Sequence, residues 1–355
     1  MRSSSVLDVL ALGSLAALGS GGCLLFTSLS GFDDPPANDA PADAGAADSE
    51  AVAPADASDA SAVEIVAHDD PGITSIAVHA DGLYYVRPQA RALYRVATAD
   101  FGPNTRGTAL ITDRGALREV AVTALNVFVT AEDGPTSACI LRAKHDGSGV
   151  TPIEDFCLVK FHLVSSPSTV FAIGVDSSTT NGLWRIDVAT GGSTRIFTGL
   201  RTNSGQIVSG AAYDGANIYV SDQASSKITT LASTTTLADF VTGQAVVDMV
   251  ADATTLYWLT QDGSVRSLPT SGVGQPRELA RLVAPQRIAI DETALYVTTS
   301  GLAASSGALV RIAKESGARA ELATGLANPS AVVVDATHVY WANLDDGTIM
   351  RVARK

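Results

Sequence analysis

The sequence predicts an all-β chain built from seven copies of one four-stranded unit, and three observations predict it. An aromatic residue recurs on a short apolar run at a near-constant interval: Tyr84, Phe128, Phe171, Tyr219, Tyr257, Tyr296 and Tyr340. From residue 62 onward, short apolar runs alternate with clusters of Gly, Asp, Asn and Ser, and no 3.6-residue periodicity lasts long enough for a helix. Each aromatic run also has the same neighbours in the same order. Four strands in roughly 43 residues are the composition of one β-propeller blade. All seven copies are legible, so a seven-bladed ring is expected over a six-bladed one.

Within a copy, the first strand is apolar and ends in a turn, as in "SIAVHADG" 75–82, "RIAIDETA" 287–294 and "SAVVVDATH" 330–338. The second is the aromatic run, such as "LYYV" 83–86, "LYWL" 256–259 or "VYWA" 339–342. The third follows a polar loop and carries an Arg at its third position in five copies: Arg95, Arg142, Arg185, Arg311 and Arg351. A residue repeated in this way has a repeated structural task, such as pairing with a carboxylate or carbonyl of the adjacent blade. The aromatic rings, one per blade, are expected to fill the wedge between neighbouring sheets and not to stack a ligand. A fourth short strand completes each copy except the last, where "IMRVARK" is followed by nothing. Residues 62–68, "AVEIVAH", precede the first copy and read like the fourth strand "RAELATG" 319–325. They are expected to pair with the last strand and close the ring, since an unpaired strand edge is an aggregation hazard.

The repeats resemble the YWTD and NHL classes of β-propeller. "VYWANLDDGTIMRV" and "LYWLTQDGSVRSL" are similar to the YWTD phrase, and "GAAYDGANIYVSDQASSKI" is similar to NHL, with Asp222 in its final acidic place. The resemblance covers residues 62–355. It implies a fold used mostly as a binding platform and, in a minority of cases, as an enzyme.

Two segments precede this body. Residues 1–32 place Arg2 before a Leu-, Ala- and Val-rich run, the pattern of an export signal. "LGSGGC" resembles a bacterial lipobox, which implies lipidation at Cys23; a cleaved signal and an uncleaved membrane anchor remain open beside it. Residues 33–61 hold almost nothing to bury and many carboxylates, which predicts a disordered tether. Much of the formal charge of −13 belongs to these segments, and the body is only mildly acidic. Neither part has the basic field that nucleic acid would need.

Cys139 and Cys157 flank the hairpin of strands three and four in the second copy, which places them opposite each other and predicts a disulfide. His68, His79, His145, His162 and His338 form no recognisable ligand set, so no metal and no cofactor are expected. No nucleophile elbow, Walker loop or dinucleotide fingerprint is present. By the geometry of propellers, the loops joining strand four to strand one and strand two to strand three share a face around the channel mouth. That face would carry Arg87, Gln89, Arg91, Glu132, Asp133, Asp176, Asp222, Gln223, Gln261, Asp262, Asn343, Asp345 and Asp346. These are the expected ligand-binding residues. The functional expectation is an exported, tethered, monomeric and non-catalytic binding module for an extracytoplasmic protein or glycan. The alternative is a metal-dependent propeller enzyme of the lyase or lactonase kind.

Overall fold

The computed structural model describes residues 62–354 apart from 133–137, 154–160, 167, 176–180, 199–207, 223–225 and 232–236. The segment expected to direct export, with Cys23, and the expected tether therefore lie outside the described residues. Strand β1 (Glu64–His68) comes first, and the blades follow in chain order. Blade 1 is β2 (Ser75–His79), β3 (Gly82–Arg87), β4 (Ala92–Ala97) and β5 (Thr108–Ile111). Blade 2 is β6 (Ala116–Val122), β7 (Val127–Glu132), β8 (Ala138–Ala143) and β9 (Thr151–Pro152). Blade 3 is β10 (Phe161–Ser166), β11 (Thr169–Val175), β12 (Asn181–Ile186) and β13 (Ser193–Thr198). Blade 4 is β14 (Val208–Tyr213), β15 (Ile218–Asp222), β16 (Lys227–Leu231) and β17 (Leu237–Thr242). Blade 5 is β18 (Val246–Ala251), β19 (Thr255–Thr260), β20 (Ser264–Pro269) and β21 (Arg277–Arg281). Blade 6 is β22 (Pro285–Ile290), β23 (Ala294–Thr299), β24 (Gly307–Ala313) and β25 (Arg319–Leu326). Blade 7 is β26 (Pro329–Val334), β27 (His338–Asn343) and β28 (Thr348–Ala353), with β1 as its outermost strand.

Each blade is an antiparallel meander, and the first strand of each touches the first strand of the next all the way round from β2 to β26 and back. The ring is thus a seven-bladed β-propeller closed as the sequence predicts: Ile65 pairs with Met350 and His68 with Thr348. The core is divided into layers between neighbouring sheets. One layer joins Tyr84 and Leu93 of blade 1 to Leu117 and Val129 of blade 2. Another joins Val66 and Ala67 of β1 to Tyr85 of blade 1 and Tyr340 of blade 7. The repeated aromatic residues are the wedge fillers expected, since Tyr84, Phe128, Tyr219 and Tyr296 are fully buried.

Buried tyrosines need a partner for the hydroxyl, and the turn between first and second strands supplies it. Tyr219, Tyr296 and Tyr340 donate to Asp214, Asp291 and Asp335 at 2.9, 2.8 and 2.8 Å. Each of those carboxylates also accepts two backbone N–H bonds of its own turn, which fixes the turn and the ring together. Burial and the Asp291 carboxylate push the Tyr296 hydroxyl up to about 12. Tyr296→Phe keeps the ring and loses the bond, so a cost of about 1 kcal/mol is expected, or roughly 2–4 °C in a thermal melt. A melt unchanged within error would remove this pairing from the account of blade stability.

The repeated arginines divide between two tasks. Arg142 reaches the adjacent blade, donating to the Ala189 carbonyl at 2.7 Å. Arg95 stays within its blade on Asp81, and Arg351 pairs with Glu64 of β1 at 2.6 Å. The adjacent-blade role is therefore not general, because a nearer acceptor lies in the same sheet. The cysteine expectation falls partly on undescribed sequence. Cys139 lies on β8, while Cys157 lies outside the described residues. The hairpin pairs Leu141 with Pro152 and Arg142 with Thr151.

Candidate functional site

The innermost strands bring together residues that are far apart in sequence. Register aligns them: Ala77, Ala121, Val164, Ala212, Val250, Ala289 and Val333 each lie opposite the anchor aromatic of their own blade. Two residues earlier on each strand stand Ser75, Glu119, His162, Gly210, Asp248, Arg287 and Ala331. Side chains two apart share a face of a strand, so these seven positions form one girdle around the channel. Four of them are ionisable. In β6 and β14 the girdle residue lies inside a β-bulge, and in β18, β22 and β26 a bulge lies just before it. A bulge re-aims a side chain, and here it accompanies the ionisable Glu119, Asp248 and Arg287 as well as Gly210 and Ala331.

The girdle groups are bonded in pairs between neighbouring blades. Glu119 accepts from the Leu163 amide at 2.7 Å and lies 3.1 Å from His162 Nδ1. Asp248 accepts from its neighbour's Ile288 amide at 3.1 Å and from Met249 at 2.9 Å. Ser75 accepts from the Val120 amide at 3.2 Å. The side chain of one inner strand thus satisfies an inward amide of the next, which would otherwise face the channel unpaired. Gly210 fits the same scheme by its smallness: a Cβ there would stand 3.2 Å from the Asp248 Cα. Burial opposes ionisation at Glu119, His162 and Asp248, and the outcome differs by group. At Glu119 the nearby His162 and the Leu163 amide outweigh burial and lower the carboxyl's pKa. At His162 the Glu119 carboxylate outweighs burial and raises the imidazole's pKa. At Asp248 burial prevails and raises the carboxyl's pKa, against the pull of Arg287 and His162.

On the side of the turns between first and second strands, the channel widens into a cup of about 660 Å³. Its walls are Val, Ile, Leu and Ala side chains of all seven inner strands, with His79, Thr123 and Ser166 toward the turns. The girdle residues directly precede the wall residues Ile76, Val120, Leu163, Ala211, Ile288 and Val332, one position along each strand, and are not themselves among the residues that line the cup.

The loops expected to bind ligand occupy the opposite end of the strands, and their polar groups are engaged in local structure. Arg87 holds Asp69 and Asp70 at 3.0 Å each, and Glu132 holds Arg118 at 2.8 Å. Asp262 accepts from the Thr260 hydroxyl and the Ser264 amide, which lowers its pKa to about 2. Asn343 is buried on Thr348, Asp345 accepts from Asn328, and Asp346 caps Thr348. Arg91 sits in the β3–β4 turn, Gln261 donates its amide to Ala245, and Asp222 ends β15 opposite Lys227. Asp133, Asp176 and Gln223 lie outside the described residues.

A second polar cluster missed by the sequence reading stands beside the cup. His79 at the end of β2, Asp81 in the turn after it, and His145 in the β8–β9 loop present ligand atoms all within 4.8 Å of one another. His79 and His145 are 66 positions apart on different blades, which linear spacing cannot reveal.

Comparison with known proteins returns the fold. No known family's sequence profile matches the chain, and no curated protein does. Among solved structures, virginiamycin B lyase from Staphylococcus aureus is similar with a TM-score of 0.65 at 13% identity, covering 83% of this chain and 99% of that one. BamB from Moraxella catarrhalis is similar at 0.54 and 14%, covering 80% and 83%. PorZ of Porphyromonas gingivalis, a bacterial surface component of the type-IX secretion system, is similar at 0.57 and 14%, covering 82% and 39%. At such identities the shared property is the propeller ring itself.

Proposed function

We propose that this chain is an exported, envelope-associated propeller of YWTD- or NHL-like repeats that binds a protein segment in its central channel without catalysis. The observation that carries this reading is the apolar cup with His79, Thr123, Ser165 and Ser166 as the polar groups of its lining. Its volume of about 660 Å³ lies in the range of ligand sites, and apolar walls with a few converging polar groups are the usual composition of such sites. Among the described residues the walls hold no Tyr, Trp or Phe on which a sugar could stack, which favours peptide over glycan. The N-terminal apolar run, Cys23 and the acidic tether support export, as does the likeness to a surface component.

The test places Ser165, an exposed wall residue, under substitution by Trp. A partner captured from envelope extract by the parent chain should bind Ser165→Trp at least about tenfold more weakly, at an unchanged melting temperature. Equal capture by both chains removes the cup from the reading.

A second reading, a propeller lyase or lactonase, is favoured by the His162–Glu119 pair, since an imidazole held by a carboxylate is the usual acid–base unit. Turnover of a cyclic ester that disappears in His162→Ala would establish it, and turnover retained in that variant would reject this pair as its source.

A further inference from the structure

We propose that His79, Asp81 and His145 form a binding site for a zinc-class divalent cation that joins blade 1 to blade 2 beside the cup. The two oxygens of Asp81 face different groups. Oδ2 accepts from the Tyr84 hydroxyl at 2.9 Å and lies 3.0 Å from Arg95 Nη2. Oδ1 lies 2.5 Å from His79 Nδ1. One oxygen is therefore fixed by the fold and the other is turned toward an imidazole. Carboxylates that ligate metals are commonly held in this way by partners on the far oxygen.

His145 is oriented by the same logic. Its Nε2 lies 3.0 Å from the Thr123 carbonyl, an acceptor only, so Nε2 carries the proton. In the neutral ring Nδ1 is then a bare lone pair, and it lies 3.9 Å from Asp81 Oδ2. A lone pair facing a carboxylate is repulsive, and either a proton on the ring or a cation between the two groups relieves it. A backbone carbonyl that holds the distal nitrogen of an imidazole is the recurrent support of a metal-bound histidine. The two rings meet edge to face with centroids 4.3 Å apart, so the imidazoles are in mutual contact beside the carboxylate.

Two imidazoles and one carboxylate oxygen suit zinc, nickel or copper better than magnesium or calcium, which prefer oxygen ligands. Zinc bonds of about 2.0–2.2 Å to such atoms require that His145 swing inward on its loop and that the hydrogen-bonded His79 and Asp81 atoms, now 2.5 Å apart, separate to admit the ion. The proton shared by His79 and Asp81 would move to His79 Nε2, so the cation replaces a hydrogen bond without leaving a ligand unpaired. Arg95 opposes the added charge, which predicts modest affinity. Three protein ligands leave a fourth position for water or for a donor atom of whatever enters the cup, whose wall includes His79.

The test is isothermal titration of tag-free full-length protein with zinc chloride, with cobalt absorption as a report of coordination. About one equivalent should bind, and cobalt should give the visible absorption of a nitrogen-ligated site. His145→Ala and His79→Ala should each weaken zinc at least about tenfold, while His338→Ala, outside the cluster, leaves it unchanged. If His79→Ala fails to fold, His145→Ala alone decides, because its side chain comes from a loop and not from a ladder. Absence of stoichiometric zinc binding, or equal binding by His145→Ala, overturns the proposal and leaves a proton-sharing cluster of two histidines and an aspartate. The outcome is separate from the binding reading, which stands or falls on Ser165→Trp.

Discussion

Deleting residues 62–68 is expected to lower the melting temperature of the whole ring by more than roughly 10 °C, in a single transition. Val66 and Ala67 are fully buried in the layer between blades 7 and 1. Their removal uncovers Ile349, Tyr340 and Tyr85 in that layer. It also leaves the outer edge of β28 unpaired. Backbone bonds that extend the closure are lost with it, from Gly102 to the Val66 carbonyl at 2.9 Å and from His68 to the Thr105 carbonyl at 2.9 Å. Apolar burial of this extent contributes about 3–5 kcal/mol, and the hydrogen bonds add about 1 kcal/mol each. Val66→Asp makes the same point with one residue, since it buries an unpaired charge at the centre of the layer. A deletion variant that melts with the parent would show that β1 decorates the ring and does not close it.

Raising the pH from about 6 to about 9 should destabilise the ring, and His162→Gln should flatten that dependence. The His162 pKa is raised from 6.5 by the Glu119 carboxylate, so its stabilising contribution is full below 6.5 and is lost as pH rises through the folded value. Glu119 is lowered from 4.5, so its contribution is full above 4.5 and is lost as pH falls through the folded value. The pair therefore stabilises most between the two ordinary values, with a decline on each side. Asp248, whose carboxyl is raised by burial, acts in the same sense as His162: it is most favourable when protonated and costs stability as it ionises. Breaking the pair should be more damaging than neutralising both members. Glu119→Ala leaves His162 and the Leu163 amide without their acceptor and should cost about 3 kcal/mol or more. Melting curves of the parent, His162→Gln and Glu119→Ala across this range check both statements. A parent profile that is flat or rises toward pH 9 would dismiss the charged girdle as a contributor to stability.

The strands were legible because each carries its own evidence. Tyr257 and Trp258 in "LYWL", or Tyr340 and Trp341 in "VYWA", mark a buried strand whatever the rest of the chain does, and both pairs are buried. Closure by β1 was legible for a similar reason, since a fourth strand was missing at one end and present at the other. The girdle was not. His162 and Asp248 are single polar residues in apolar runs, and only alignment by register shows that they stand at one level. Bulges blur that alignment, because they shift Glu119 and Gly210 relative to the start of their strands. The tyrosine partners are not legible either, because the repeat resemblance points to an acidic residue after the aromatic strand, as at Asp222. Asp214, Asp291 and Asp335 precede it, in the turn that the strand leaves. The described loop residues lie in the loops the repeat pattern assigns them to, but residue type alone does not separate a ligand contact from a turn cap such as Asp346 on Thr348.

The bond between Glu64 and Arg351 joins residues 287 positions apart, and this separation has a consequence in time. During synthesis, β1 emerges before any blade exists, and its partner β28 emerges after all the others. At about 5–20 residues per second the interval is on the order of 15–60 s. Throughout it, the buried face of β1 has no permanent neighbour, while six blades can assemble from local hairpins. The last step is then a slow search by an early segment for a late one, with a high contact-order cost. Until it ends, the ring is an open arc with a free sheet edge. A pulse-labelled chain should accordingly remain sensitive to protease near residue 65 after its hairpins have become resistant.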